Sequence, residues 1–529
     1  MQKHTLGNSI GGNNLKDVFA LIFLLAQAVT AGSQTINEVK APDGTFVGLS
    51  TQTGRQFLGI PYAEAPVGER RWAAPKELST KLKRFMAREF GSVCVQPVDA
   101  WNFNPKPGDQ MRGSEDCLFL NIYSSLDKKP MKPVMVWIHG GGFVTGAGSE
   151  YDAHVLAEKH DVIVVTINYR LGAFGFLSHP ALGEGSGNFG LLDQQMALRW
   201  VQRNIKAFGG DPKRVTIFGE SAGGVSVCGH LRSPTSKNLF SRAIIQSGPC
   251  VGFERTAAEQ KGITFAQAAN CPSTGREALS CLRKLPAQTV ATNSLGETGL
   301  GDTPWTIVYG TKIVPQDASA LEKGEFNRVP VMNGSNRDEG RLFALVVLPR
   351  LQNNRDYEKN LGFQYGAKSG KVLAEYPVST YDSVALAYAA YLTDGWFACP
   401  ALSANEAMSR YTPVYAYEFN DRKAPSSSAP PKEIQSLGAY HAAEIQYIFQ
   451  TKSALGGPAD FTPEQKRLSD RMQEAWVSFA RDGVPSIRGE ESWAPMRPGK
   501  VSIKNLDTGG PSYVNGFAEF HKCAFWSAL

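Results

Sequence analysis

Arg214-Val-Thr-Ile-Phe-Gly219-Glu220-Ser221-Ala222-Gly223-Gly224-Val-Ser226-Val-Cys228 carries a strand, a sharp turn and a helix start in one short stretch. Val215 to Phe218 is a β-branched, apolar run. Gly219-Glu-Ser-Ala-Gly223 fits Gly-x-Ser-x-Gly, and Ala222 onward suits a helix. A serine at such a turn stands in a strained backbone, and side chains larger than hydrogen two positions before or after it would strike neighbouring backbone. The pattern alone is weak: in a chain with 53 glycines a chance match is expected about once in a few such chains. The strand before it and the helix after it give it meaning.

Working outward, short apolar runs alternate with helical patterns. Pro133 to His139, Asp161 to Asn168, Arg214 to Phe218, Arg242 to Gln246, Val329 to Met332 and Val414 to Phe419 read as strands. Their apolarity is continuous, as in a parallel sheet covered on both faces. Asp193 to Phe208 has helical spacing, and so does a later segment with Thr462 as N-cap, Pro463 at its first position and Gly483 after its end. The Pro42-Asp-Gly44 turn between Asn37 and Gly48 predicts an antiparallel hairpin ahead of the parallel region. The expected fold is α/β: a large, mostly parallel central sheet flanked by helices, with a small N-terminal antiparallel hairpin. No repeat occurs, and Ala424 to Pro431 is a loop too short for a linker, so residues 33–529 read as one domain.

His139-Gly140-Gly141-Gly142-Phe143 directly follows a strand. Three glycines let main chain approach a reacting group closely, and their amides, with the N–H of Ala222, can receive the negative oxygen of an acyl transfer. Such chemistry needs a base and an acid that orients it, in the chain order Ser, acid, His. Three histidines follow Ser221: His230, His441 and His521. His230 lies deep in the helix after the turn, and His521 is near the C-terminus beside Cys523. His441, on a loop before a helical turn, is the expected base. The acid is Asp338 or Glu339, both just past the strand ending at Met332, and spacing does not choose between them.

The rest of the chain narrows the class. Of 529 residues 42% are hydrophobic and 20% charged, ample for a large core, and the net charge of +6 is spread without a run of five like charges. A nucleic-acid partner is therefore not expected. Lys3 and Lys16 precede the apolar run Val18 to Ala28, too short to span a bilayer but suited to an export signal, residues 1–31, cleaved after Ala28 or Ala31. No other segment reaches membrane-spanning length, so no stable membrane anchor is expected. The eight cysteines (Cys94, Cys117, Cys228, Cys250, Cys271, Cys281, Cys399 and Cys523) show no CxxC pair and no zinc-like Cys–His spacing. Export places them where disulfides persist.

With these segments in place, the chain resembles the type-B carboxylesterase/cholinesterase family, in its bacterial-type secreted form, from about Gly48 to Trp526. Ser114-Glu-Asp-Cys117-Leu-Phe-Leu-Asn-Ile-Tyr123, Asn168-Tyr-Arg-Leu-Gly-Ala-Phe-Gly-Phe-Leu177, Gly187-Asn-Phe-Gly-Leu-Leu-Asp193-Gln and Phe208-Gly-Gly-Asp-Pro carry the likeness. The resemblance implies an α/β-hydrolase fold and hydrolysis of a small-molecule carboxylic ester, without metal or cofactor. It implies Ser221 as nucleophile, His441 as base, Glu339 as the acid, and Gly141, Gly142 and Ala222 as oxyanion donors. Glu220 and Ser226 resemble a buried polar network beside them, and Arg71 with Glu115 and Arg170 with Asp193 resemble internal ion pairs. It implies disulfides Cys94–Cys117, Cys271–Cys281 and Cys399–Cys523, and gives Cys228 and Cys250 no partner, so both are expected to be buried free thiols. Trp101 does not align with the choline-binding tryptophan of cholinesterases, so a cationic substrate is not expected. Ile307-Val-Tyr309-Gly310 departs from the family around the acyl pocket, which Trp305 either lines or supports from the core. The sequon Asn333-Gly-Ser335 abuts the strand before Glu339 and is expected to stay unmodified. The same machinery serves amide hydrolysis or acyl transfer to an alcohol, and some relatives are binding or adhesion proteins without the catalytic residues, which here are all in place.

Overall fold

The computed structural model describes residues 35–51, 53–99, 107–127, 131–183, 185–293, 305–426, 429–450 and 460–529. The expected export signal, residues 1–31, and Trp101 lie outside them. β1 (Thr35–Ala41) and β2 (Gly44–Ser50) form the expected hairpin about Pro42 and Asp43. The chain then adds β3 (Gly54–Pro61), β4 (Phe119–Ser125), β5 (Lys132–Ile138), β6 (Ile163–Ile167), β7 (Gly210–Glu220), β8 (Arg242–Gln246), β9 (Val331–Asn336), β10 (Val414–Phe419), β11 (Ile503–Leu506) and β12 (Ser512–Tyr513). Across the sheet they run β1-β2-β3-β4-β6-β5-β7-β8-β9-β10-β11-β12, with the strand Leu82–Met86 beside β2. Pairings from β6 through β5 and on to β11 are parallel, whereas those among β1 to β4, from β4 to β6, and from β11 to β12 are antiparallel. The expected hairpin is thus the outer part of a longer antiparallel flank of the same sheet. Gly54, Gly59 and Pro61 interrupt the strand pattern of β3, and β4 begins within the Ser114–Tyr123 motif.

Alternation along β5 shows why its apolarity is unbroken. Val134, Val136 and Ile138 enter one core, while Met135 and Trp137 enter the core on the opposite face. On the first face lie α1 (Phe189–Asn204) and α2 (Ala222–Arg232), through Leu191, Trp200, Val225 and Leu231. α3 (Gly340–Val347) and α4 (Pro463–Asp482) pack on the second, the latter through Leu468, Met472, Trp476 and Phe479. The parallel strands β5, β7, β9 and β10 all point the same way, so the segments leaving them gather along one edge. The chemistry is built there.

Cross-links hold the periphery. Cys94–Cys117, Cys271–Cys281 and Cys399–Cys523 are bonded. Cys228 and Cys250 are bonded to one another as well, which corrects the reading of both as free thiols. α2 folds back over β7 and β8, so its second turn comes beside the segment leaving β8, with Cα atoms 5.5 Å apart. Tertiary packing creates that adjacency, and spacing along the chain does not show it. Arg170 grips Asp193 with two bonds of 2.7 Å, both side chains buried, and Arg71 pairs with Glu115. Asn333 of the sequon is buried in β9 and donates to Asn405 at 2.8 Å, where a glycan has no room.

Candidate active site

Ser221 ends β7 and opens α2 with φ 56° and ψ −123°, a conformation that costs a β-carbon-bearing residue strain. The flanking glycines make the turn possible. A β-carbon on Gly223 would stand 2.0 Å from the Ile138 carbonyl oxygen, and one on Gly219 would stand 2.6 Å from it. Ser221 is partly exposed while Ala222 through Arg232 are all buried, so the serine is the point where the turn breaks surface.

The glycine strip leaving β5 runs alongside. A β-carbon on Gly140 would lie 3.1 Å from that of Ser221 and 2.8 Å from the Glu220 carbonyl oxygen. Gly141 and Gly142 have φ of 98° and 60°, backbone that favours glycine, and both line the cavity beside Ser221. Gly141 is itself fixed, its carbonyl accepting from the amides of Val144 and Thr145 at 2.9 Å each.

Glu339 and His441 are brought together from 102 residues apart: Nδ1 of the imidazole lies 2.5 Å from Oε2 of the carboxylate. The other Glu339 oxygen accepts the Asn336 amide at 2.7 Å, and the glutamate is fully buried. Asp338, which the sequence could not separate from Glu339, faces elsewhere. It accepts two bonds from Arg422, pairs with Arg341, and takes the Ala439 amide at 3.0 Å. That carboxylate supports the loop carrying His441. His230 points away from the serine, held by Gln194 and Ser236 at 2.9 Å each, and burial pushes it down to about 3.

The Nε2 of His441 faces Glu220, at 3.1 Å from Oε1. Glu220 is more intimate with the imidazole than a supporting network suggested, while Ser226 accepts from Gln194 at 3.0 Å within α1 and α2. Glu444, for which the sequence reading had no role, completes a buried trio of carboxyls. It accepts from Gln246 at 2.9 Å and from Asn336 at 2.6 Å. Its signal was an acidic residue three positions after His441 inside an otherwise apolar segment. Burial pushes the Glu220 carboxyl well above its usual range, His441 offsets this in part, and Glu444 and Glu339 add to it. Burial raises Glu444 likewise. For His441 burial favours the neutral ring, but Glu220, Glu339 and the bond to Glu339 outweigh it and hold the imidazole up, at about 9.

These groups meet in a cavity of about 140 Å³ lined by Ser221, His441, Gly141, Gly142 and Ala222. Phe343 and Phe397 press on His441 with ring centres 4.7 and 4.8 Å away. Val225, Pro249, Val251 and Trp305 also line it. Trp305 therefore lines the space, and also packs edge-on to Phe265 in the core. A strained serine, a glycine strip beside it and a carboxylate-held histidine in one apolar cavity are the parts of an acyl-transfer centre.

A profile described as "Carboxylesterase family" matches residues 35–526. The chain belongs to the carboxylesterase family. It is 36% identical over 454 residues to the para-nitrobenzyl esterase of Bacillus subtilis (strain 168), covering 84% of this chain and 89% of that one. It is 34% identical over 540 residues to the acetylcholinesterase of Bungarus fasciatus, covering 94% and 87%. A solved structure titled a thermophilic PNB esterase superposes with TM-score 0.80 at 32% identity, covering 93% of this chain and all of the other. This carboxylesterase-family chain is a carboxylic ester hydrolase with the α/β-hydrolase fold. Among the described residues no helix is long and apolar enough to cross a membrane, and no cluster of metal-ligating side chains occurs.

Proposed function

We propose that the protein hydrolyses small carboxylic esters in two acyl-transfer steps through Ser221, His441 and Glu339. His441 takes the Ser221 proton as the oxygen attacks the ester carbonyl. The oxygen of the tetrahedral intermediate is received by the amides of Gly141, Gly142 and Ala222, and losing one such donor costs about 3–4 kcal/mol of transition-state stabilisation. Glu339, accepting from Nδ1, keeps Nε2 free for the proton and steadies the imidazolium. The alcohol leaves with the proton from Nε2, and a second round with water releases the acid. The observation that carries this reading is the 2.5 Å contact between His441 and Glu339 at the rim of the cavity that Ser221 enters.

The cavity favours uncharged, apolar esters. Its lining is mostly apolar, with Val225, Val251, Leu342, Phe343, Leu392 and Phe397 among it and Glu220 as its one carboxylate. The four disulfides fit an oxidising compartment, in keeping with an export leader at residues 1–31 and one exported domain at 33–529. Ser221→Ala is expected to lower kcat for a p-nitrophenyl ester by about a millionfold, the order of loss seen when a triad serine is removed, and to abolish labelling by a fluorophosphonate. Wild-type turnover in that variant would refute the mechanism; unlabelled wild-type protein without esterase activity would favour a binding protein.

A further inference from the structure

The segment that leaves β8, from Ser247 to Val251, carries Ser247, Pro249 and Val251 to the cavity wall before Phe253 pairs with Val308 and donates its amide to the Ile307 carbonyl at 2.9 Å. Ser247 is anchored by its amide to the Gly334 carbonyl at 2.9 Å. Beyond it, among the described residues, hydrogen bonds from 248–251 to the rest of the chain reduce to one, from Arg232 Nη2 to the Val251 carbonyl at 3.1 Å. Val251 is half exposed. Between those two anchors the segment is held by α2, the helix that Ser221 opens. Gly248 rests against Gly224 so closely that a β-carbon on Gly248 would stand 2.4 Å from Gly224 backbone. One turn further along, Cys228 is bonded to Cys250, and at the helix end Arg232, itself buried, holds Val251. Pro249 and Val251 are therefore bracketed by a covalent tether and a guanidinium, both rooted in the helix that sets the nucleophile.

The two halves of an ester meet different walls. The leaving alcohol takes its proton from His441 Nε2, so it lies on the side of Phe343 and Phe397, which pack on that ring. With the carbonyl oxygen toward Gly141, Gly142 and Ala222, the apolar lining left for the acyl chain includes Val225, Pro249, Val251 and Trp305. We propose that the Cys228–Cys250 disulfide, seconded by Arg232, determines acyl-chain specificity by fixing Pro249 and Val251 as a rigid wall that limits acyl length. The proposal rests on the esterase reading above. The disulfide touches no reacting atom; it acts through the wall.

The test uses the full-length enzyme and its Cys228→Ala/Cys250→Ala variant, with p-nitrophenyl acetate, butyrate, hexanoate and octanoate as one series and acetate esters of alcohols of increasing size as the other. The octanoate-to-acetate ratio of kcat/KM is expected to rise at least fivefold in the variant, chiefly through KM, while the alcohol series changes by one uniform factor. Removing the distant Cys271–Cys281 pair in the same way is expected to leave both series as in the wild type. If the double variant does not fold, Arg232→Met, which cuts the second tether alone, is expected to move the same ratio in the same direction by about twofold. Acyl profiles parallel to wild type in the folded variant, or equal drift in both series, would overturn the proposal. Wild-type enzyme that turns over no member of either series would instead refute the esterase reading.

Discussion

At the scale of single residues, the tension lies in His441. A general base works as neutral imidazole, yet Glu220 and Glu339 together hold its pKa at about 9, above the ordinary value of about 6.5. The sign follows directly. Because only the deprotonated ring accepts the Ser221 proton, kcat/KM rises with pH, and its half-rise falls on the alkaline side of ordinary histidine. Glu220 is the largest of the influences raising it, acting across 3.1 Å. Glu220→Gln keeps the shape but removes the charge, so the half-rise is expected to move to lower pH, and the variant gains on the wild type most at neutral pH. Rate profiles of both proteins from pH 5 to 10 with a neutral ester check this; superimposed limbs would mean that Glu220 does not bear on the base.

At the scale of elements, what the sequence showed was what local chemistry determines. The turn at Ser221 was readable because glycine is the one residue that fits beside Ile138 at two positions. α4 was readable from its punctuation. Thr462 accepts the Gln465 amide while Gln465 reaches back to the Thr462 amide, Pro463 opens the helix, and Gly483 closes it at φ 79°. That box predicts a loss of about 1 kcal/mol in Thr462→Ala, seen as a lower melting temperature with unchanged kcat, since α4 supplies no group to the cavity. What stayed hidden depends on which elements become neighbours. Glu339 could be separated from Asp338 by the residues alone only once Arg422 and Arg341 were seen to claim Asp338. Cys228 and Cys250 needed the packing of α2 across β8, and Glu444 needed β8 and β9 to deliver Gln246 and Asn336.

At the scale of the whole molecule, the C-terminal segment is locked to the body by Cys399–Cys523, which joins residues 124 apart, and by His521 beside it. The His521 ring is fully buried, with Nδ1 at 2.6 Å from Asp394 and Nε2 at 2.8 Å from Glu418. Both carboxylates serve as acceptors, so both ring nitrogens must donate, and the geometry calls for an imidazolium. Around it, Arg337 pairs with Glu418 at 3.0 Å, the Tyr376 hydroxyl donates to Asp394 at 2.9 Å, and Lys522 faces Glu375 at 3.2 Å. Burial favours the neutral ring, but the bonds and charges of Asp394 and Glu418 outweigh it and raise His521. A group whose pKa is higher folded than unfolded stabilises the fold fully below its unfolded value, about 6.5, and loses that contribution as pH rises through its folded value. Asp394 lies in the helical turn Thr393–Ala398 that carries Trp396 and Phe397 to the cavity wall, so loosening this lock would reach the site. His521→Gln is expected to cost on the order of 3 kcal/mol at pH 6, as when one member of a buried ion pair is removed. The gap in melting temperature between variant and wild type should then narrow steadily toward pH 10, as the wild-type ring gives up its proton. Melting curves of both proteins at unit steps from pH 6 to 10 measure that gap directly, and a gap independent of pH would show the buried ring to be neutral throughout.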